Sequence, residues 1–225
     1  MAERHEAAGE KHMKLLYGTG NPAKLELMRG RLSVLGLEIT GLTDMEGMPP
    51  KVPEDGSTPL ENARQKALAY YEAYRRPVFS CDSGLYFEGV PEEIQPGVHV
   101  RTVGGKYLTD EEMRIYYAGL AEKYGDLKAY YKNAICLVLD EKRIFERMDA
   151  SLESAPFLLT SMPCAAVRHS GFPLDSLSKD IETGRYFYDM EKGRMERGAV
   201  QDGFLDFFCE VLGVSMKKEY FTILI

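Results

Sequence analysis

The sequence predicts an α/β protein whose sheet is at least partly parallel. Residues 14–17 form a short apolar segment that runs into a glycine turn, and a helical pattern and a second strand follow. Strand, turn, helix and strand in this order make a βαβ unit, which joins parallel strands. A long β-rich segment follows at residues 129–140, with an antiparallel partner predicted at 143–148.

Size and charge limit the possible functions. The 225 residues are 44% hydrophobic, enough for one domain, and the net charge of −7 argues against a general affinity for nucleic acid. No apolar segment approaches the roughly 20 residues of a membrane helix. Four cysteines without CxxC spacing indicate reduced thiols. We expect a disordered leader at residues 1–12, a single domain at 13–225 and a cytoplasmic location, without a nucleic-acid or membrane partner.

The first helix is predicted to begin at Pro22, because Asn21 is a favourable N-cap and proline is favoured at the first helical position. Its N-terminal N–H groups attract phosphate, and Lys24 adds a positive charge one turn later. The turn before it also matches GxGxxA, with Glu38 about 20 residues on, as in dinucleotide-binding folds. An ordinary capped helix, a phosphate-binding turn and a dinucleotide site all remain open on this segment.

A second helix is predicted from Pro59, with Thr58 as the N-cap and Glu61 completing a capping box. Asn62 and Lys66 lie four residues apart and therefore share one face of this helix. That face is either a solvated polar surface or part of a site. Further along, residues 109–112 form another capping box that opens a third helix, and a closing helix is predicted over 200–212.

Two carboxylates are predicted to lie in turns. Residues 77–79 indicate a short buried strand that ends at Cys81-Asp82-Ser83-Gly84, four small or turn-favouring residues. A carboxylate at such a strand end can bind a metal or activate water, or it forms only an Asx turn. Residues 171–175 are predicted as the second turn, which ends in Asp175.

Four motifs resemble, in order, those of the inosine triphosphate pyrophosphatase family. They are TGNPAKLE at 19–26, EDGST followed by ENARQKA at 54–67, DSGL at 82–85, and PGV followed by Arg101 at 96–101. The resemblance implies an elongated mixed β-sheet with flanking helices, in two lobes around a central cleft, and a homodimer. It also implies Mg²⁺-dependent hydrolysis of purine nucleoside triphosphates, of the inosine and xanthosine type, to monophosphate and pyrophosphate.

The resemblance also assigns roles to residues. Asp82 and Lys66 are implied as catalytic, and Glu54 and Asp82 as the Mg²⁺ ligands. The implied substrate-binding residues are Thr19, Asn21, Lys24, Asn62, Ser83, Gly84, Arg101, Phe172, Asp175 and Arg197.

The sequence departs from the family pattern at several positions. Cys81 stands where the family usually has a second aspartate, and Leu174 replaces a tyrosine before Asp175. The late Ser-His-Arg motif is missing. A catalytically weakened nucleotide-binding protein of the same fold is therefore the alternative. A dinucleotide-binding oxidoreductase ranks last, because it leaves Glu54, Lys66 and Asp82 unexplained.

Overall fold

The computed structural model describes residues 13–165, 171–190 and 199–216, with side chains omitted for 199–202. The predicted leader, residues 1–12, lies outside these ranges. The strands are β1 (Lys14–Tyr17), β2 (Glu38–Gly41), β3 (Val78–Phe87), β4 (Thr102–Val103), β5 (Lys106–Tyr107), β6 (Leu127–Val138), β7 (Ile144–Arg147), β8 (Phe157–Leu159) and β9 (Ser178–Asp180). The helices are α1 (Pro22–Ser33), α2 (Pro59–Tyr74), α3 (Asp110–Tyr124) and α4 (Ala199–Leu212).

The main sheet is mixed, which confirms the predicted α/β class. Its strands follow the order β2-β1-β3-β6-β8-β9, and β7 also pairs with β6. β1 is parallel to β2, as the βαβ unit predicts, and it is also parallel to β3. β3 and β6 are antiparallel over the whole length of β3, from Val78 opposite Val138 to Phe87 opposite Ala129. This long pair makes the sheet elongated.

Each end of the β3–β6 pair has its own apolar core. At the end that carries β1 and β2, α1 and α4 cover one face of the sheet and α2 covers the other. At the β8 end, α3 packs over Leu85, Phe87 and Phe157. The site described below lies near the middle of β3, where β1 ends and β3 continues.

The helix starts follow the predicted capping residues. Asn21 caps α1 and Thr58 caps α2, and the capping box of α3 is complete. The capping box predicted for α2 is wrong in one part: the Glu61 carboxylate accepts hydrogen bonds from Ser57, at the backbone N and Oγ, instead of from the cap residue. No helix in the described ranges is long and apolar enough to cross a membrane.

The turn predicted at residues 81–84 is wrong. β3 continues without interruption through Cys81-Asp82-Ser83-Gly84 to Phe87, because all four residues pair with β6, for example Asp82 with Ala134. The long apolar partner strand overrides the local preference of small residues for turns. Asp82 therefore lies in mid-strand and not at a strand end.

Candidate functional site

Side chains alternate between the two faces of the sheet along β3, which places the site on the α2 face and part of the core on the other. Ser80 and Asp82 face α2, since a Cβ on Gly18 would meet both Ser80 Oγ and Tyr70 of α2, and Asp82 bonds to α2 side chains. Phe79 and Cys81 face the core on the α1 and α4 side. Successive side chains of a strand point to opposite faces of the sheet, so neighbouring residues of β3 lie in different environments.

The central feature is a buried ion-pair network between α2 and β3. The Lys66 ammonium lies 2.7 Å from Asp82 Oδ1 and 2.9 Å from Glu54 Oε2. Asn62 Nδ2 donates to Asp82 Oδ2 at 3.2 Å. The Lys66 and Asp82 side chains are only 11% and 14% exposed, whereas Glu54 is 47% exposed. The predicted shared face of Asn62 and Lys66 is therefore directed at Asp82.

The loop before α2 brings Glu54 to this network. Glu54 has a left-handed backbone, with φ 52°, a conformation that costs a non-glycine residue about 1–3 kcal/mol and is frequent at functional sites. Two residues later, the Gly56 N–H donates to Asn62 Oδ1 at 2.8 Å. A Cβ on Gly56 would lie 2.6 Å from Glu61 Cβ, so only glycine permits this close approach. Asn62 thus joins the loop to Asp82.

Two lysines supply positive charge from opposite sides of the sheet. Burial alone would lower the pKa of Lys66, but Asp82 and Glu54 outweigh it and raise that pKa, so the ammonium stays charged. The pKa of Lys24 on α1 is lowered by burial and by the charge of Lys66. Among the described residues, Lys24 has no carboxylate within ion-pair distance.

Asn21 is held from two directions. Its Oδ1 accepts from the N–H groups of Ala23 and Lys24, and its Nδ2 donates to the Gly171 carbonyl at 3.1 Å. Thr19 Oγ1 accepts from the Asn21 N–H. A Cβ on Gly171, where φ is +94°, would lie 2.8 Å from Asn21 Oδ1. The turn before α1 is therefore fixed by a segment 150 residues away.

Cys81 does not belong to the Asp82 cluster. Its side chain packs against the core on the opposite face, beside Tyr17, and burial raises its pKa to about 12. A neutral thiol in this position is neither a nucleophile nor a hard-ion ligand. The replacement of aspartate by Cys81 therefore removes no ligand from the pair formed by Glu54 and Asp82.

Ser83 makes a side-chain hydrogen bond, and Gly84 lies in close contact with a neighbouring loop. Ser83 Oγ donates to Asn133 Oδ1 at 2.6 Å, and Asn133 Nδ2 donates to the Leu152 carbonyl. Gly84 is buried, and a Cβ there would lie 3.0 Å from the Gly97 carbonyl. Gly84 thus allows the loop at residues 96–97 to approach β3.

The Arg101 side chain is bonded to residues at the start of α3. Its Nη1 lies 2.8 Å from Asp110 Oδ1 and also donates to the Leu108 carbonyl. The other oxygen of Asp110 accepts from the Gly171 N–H at 3.4 Å. Burial would raise the pKa of Asp110, but the hydrogen bonds from Arg101 and Gly171 lower it overall. Arg101 is therefore linked through Asp110 to Gly171, whose carbonyl accepts a hydrogen bond from Asn21.

The second predicted turn is a short 3-10 helix, Pro173–Ser176, with Phe172 as its N-cap. The Asp175 carboxyl makes no hydrogen bond within the described ranges, and burial raises its pKa to about 7. Leu174, which replaces the family's tyrosine, is buried in the core beneath α3. Arg197 lies outside the described residues.

The dinucleotide interpretation is wrong. Glu38 is the first residue of β2 and lies opposite Lys14, the first residue of β1, to which it is ion-paired at 2.9 Å. The glycine turn follows the other end of β1, about 10 Å away along the strand. Glu38 therefore cannot take the position of a ribose-binding acid.

The donor set at the site fits Mg²⁺. No group of three or more potential metal ligands occurs among the residues that the structure describes. Glu54 and Asp82 nevertheless converge on one ammonium, and Mg²⁺ is commonly bound by one or two carboxylates, water and substrate phosphates. These two residues could hold the ion.

Two groups that position the site were missed from sequence. Asn133 was hidden in an apolar β-rich segment, although a lone amide in such a segment signals a specific partner. Asp110 was seen only as part of a capping box. Its links to Arg101 and Gly171 depend on contacts between distant segments, which no local pattern reveals.

Comparisons with known proteins identify the family to which the chain is similar. A profile of the Ham1 family matches residues 15–152. A dITP/XTP pyrophosphatase of Thermus thermophilus is 32% identical over 186 residues, which cover 81% of this chain and 84% of the relative. The dITP/XTP pyrophosphatase of Aquifex aeolicus is 42% identical over 87 residues, 39% of this chain and 40% of the relative.

Solved structures share the fold. A HAM1 protein from Coxiella burnetii superimposes with a TM-score of 0.69 at 21% identity, and the Staphylococcus aureus Ham1 protein with 0.66 at 16%. Each alignment covers 89% of this chain and 98% of the other. The profile spans more than half of the sequence, and the Thermus relative extends across most of it. The resemblance to the inosine triphosphate pyrophosphatase family is therefore confirmed, and the chain belongs to the Ham1 family.

Proposed function

We propose that this protein hydrolyses purine nucleoside triphosphates to the monophosphate and pyrophosphate, with Mg²⁺ as cofactor. The observation that carries the proposal is the Lys66 ammonium, which lies between the Asp82 and Glu54 carboxylates. Attack on a phosphoryl group surrounded by anionic oxygens requires cationic donors and a positioned carboxylate. Relatives named dITP/XTP pyrophosphatases support the same activity.

Each residue has a distinct role in this proposal. Asp82, oriented by Asn62 and Lys66, accepts the proton of the attacking water or helps to bind the metal. Lys24 and Lys66 neutralise phosphate charge. Mg²⁺ bound by Glu54 and Asp82 would add charge stabilisation at the phosphoryl oxygens.

The test is pyrophosphate release from inosine triphosphate, measured with Mg²⁺ and with excess EDTA. We expect release with Mg²⁺ and none with EDTA. Nucleotide binding without pyrophosphate release would instead support the catalytically weakened alternative, which Cys81 favoured in the sequence. Because Cys81 faces the core, we rank that alternative second.

We further propose that base preference among inosine, xanthosine, guanosine and adenosine triphosphates is relaxed. The Ser-His-Arg motif is missing from the sequence, so fewer polar groups are available to read the base. The test compares kcat/KM for the four triphosphates at one Mg²⁺ concentration. A preference of about 10²-fold or more for inosine or xanthosine would contradict the proposal.

The homodimer implied by the resemblance is also a proposal. Size-exclusion chromatography with light scattering tests it directly, and a mass near 25.4 kDa would identify a monomer.

A further inference from the structure

The backbone of Gly171 joins three parts of the chain that lie far apart in sequence. Its N–H donates to Asp110 Oδ2 in the first turn of α3 at 3.4 Å, and its carbonyl accepts from Asn21 Nδ2 in the turn before α1 at 3.1 Å. These bonds span 61 and 150 residues of sequence. Gly171 also directly precedes Phe172, the N-cap of the 3-10 helix that contains Asp175.

The contact between Gly171 and the turn before α1 is close. The φ of Gly171 is +94°, in the region that glycine adopts at little cost. A Cβ at this position would lie 2.8 Å from Asn21 Oδ1 and 3.1 Å from Ala23 Cβ. A side chain there would therefore displace the Asn21 amide, so the position of the Gly171 backbone bears directly on that amide.

Asp110 is held where it can fix the Gly171 backbone. It is the first residue of α3, and Thr109 caps that helix. Arg101 Nη1 lies 2.8 Å from Asp110 Oδ1, and the Arg101 guanidinium also lies over the Tyr107 ring, 5.7 Å from its centroid. Arg101 thus orients one carboxylate oxygen, while the other oxygen accepts from the Gly171 N–H.

Asn21 carries this arrangement to the start of α1. Its Oδ1 accepts from the N–H groups of Ala23 and Lys24, while its Nδ2 is bonded to the Gly171 carbonyl. One amide group makes all three contacts, so its orientation depends on Gly171 and at the same time caps the first turn of α1. A shift of the Gly171 backbone would therefore move the cap, the N–H groups at the helix start and Lys24.

We propose that Asp110 is a positioning residue for the hydrolysis, because it sets the turn before α1 through Gly171 and Asn21. Asp110 itself does not contact the substrate. Arg101 then acts as the partner that orients Asp110, in place of the substrate contact that the resemblance implies. The inference rests on the proposed function. It adds a residue outside the motifs that carry the family resemblance.

The test compares Asp110→Ala with Glu111→Ala in pyrophosphate release from inosine triphosphate. Both variants remove a carboxylate from the first turn of α3, but Glu111 is ion-paired with Arg114 on the same helix. We expect the KM of Asp110→Ala to rise about three- to ten-fold, the effect of losing one hydrogen bond. Its kcat should stay within about two-fold of the wild type, because Asp82 and Lys66 are untouched. Glu111→Ala should leave both constants within about two-fold.

A double-mutant cycle with Asn21→Ala shows whether the effect passes through the turn. If Asp110 acts through Gly171 and Asn21, adding Asp110→Ala to Asn21→Ala raises KM by less than about two-fold. If Asp110 only stabilises α3, the two increases in KM are independent and multiply. General destabilisation of the fold would not produce this dependence on Asn21.

The outcomes separate this inference from the proposed function. An unchanged KM in Asp110→Ala, or increases that multiply in the double variant, overturn the inference, whereas pyrophosphate release by the wild type still supports the function. No release by the wild type overturns both. If circular dichroism shows that Asp110→Ala does not fold, Asp110→Ser takes its place, because serine is favoured near helix starts but is too short to reach the Gly171 N–H. The same increase in KM and the same dependence on Asn21 are then expected.

Discussion

The two regions proposed to bind the substrate are built differently. The proposed phosphate-binding region, the phosphate end, comprises Lys24, Glu54, Lys66 and Asp82, and the Asp82 carboxylate there is bonded by both Lys66 and Asn62. The proposed base-binding region, the base end, comprises Phe172 and Asp175, and the Asp175 carboxyl has no hydrogen bond within the described ranges. Side chains are thus more firmly oriented at the phosphate end than at the base end. This difference supports the proposal that the phosphates are positioned precisely while several bases are accepted.

The largest loss of activity is expected for Asp82→Asn at the phosphate end. Shape is kept and the charge is lost, so we expect kcat to fall about 10²–10⁴-fold, as for loss of a general base. Pyrophosphate release measures the effect, and circular dichroism checks the fold. Glu38→Gln is the matched control, because it neutralises another lysine-paired carboxylate of the same sheet. Half the wild-type turnover in Asp82→Asn would remove Asp82 from the mechanism.

A smaller effect is expected for Lys24→Ala. Its ammonium has no ion pair within the described ranges, so the fold loses little, while a charge-assisted contact to phosphate is worth about 1.5–3 kcal/mol. We expect triphosphate affinity to fall about ten-fold or more and monophosphate affinity to fall less. Isothermal titration calorimetry with both ligands measures this, with Lys14→Ala as control.

Lys66→Ala separates a role in phosphate binding from a role in stability, by comparison with Lys24→Ala. It should weaken triphosphate binding in the same way, but it also leaves Asp82 and Glu54 without their shared cation. Unfolding should therefore occur at lower temperature than in Lys24→Ala. Equal losses of triphosphate and monophosphate affinity in both variants would show that neither lysine serves the phosphates.

The smallest effect concerns the stability of the base end. Burial raises the pKa of Asp175 from 3.8 to about 7. Below pH 3.8 the carboxyl is protonated in both folded and unfolded states. As pH rises towards 7, the unfolded state ionises first, so Asp175 progressively destabilises the fold. Urea unfolding at about pH 5 and about pH 8, on either side of the folded-state pKa, should therefore show Asp175→Asn gaining stability over the wild type at the higher pH.

The control for this measurement is Asp126→Asn, at an exposed position. Its stability relative to the wild type should not follow the same pH dependence. If Asp175→Asn and the wild type change in parallel across this pH range, the Asp175 carboxyl is solvated and the base end is open to water.

Local features of the fold could be predicted from the sequence. The caps Asn21, Thr58 and Thr109, and with them the starts of α1, α2 and α3, follow from short-range hydrogen bonds to the backbone. The parallel pairing of β1 and β2 follows from the βαβ order. The position of Asn62 and Lys66 on one face of the helix follows from the helical repeat.

Residues 81–84 were mispredicted for a physical reason. Small residues favour turns when considered alone, but pairing with β6 and the covering helices keep them in β3. The strand conformation changes the interpretation of Cys81, because strict alternation places it on the face opposite Asp82. A turn would have allowed both side chains to reach the same site.

The sequence by itself determined the caps of the first three helices, the βαβ order of the first elements and the motifs that identify the family. Only the tertiary structure decided which charges meet. Lys66, Asp82 and Glu54 converge because α2 packs across β3, and Asn21 and Gly171 meet although 150 residues separate them. Short-range hydrogen bonding is encoded within a few residues, whereas these contacts depend on how distant elements pack. β1 likewise pairs only with the beginning of β3, because β1 stops at Tyr17 while β3 continues to Phe87.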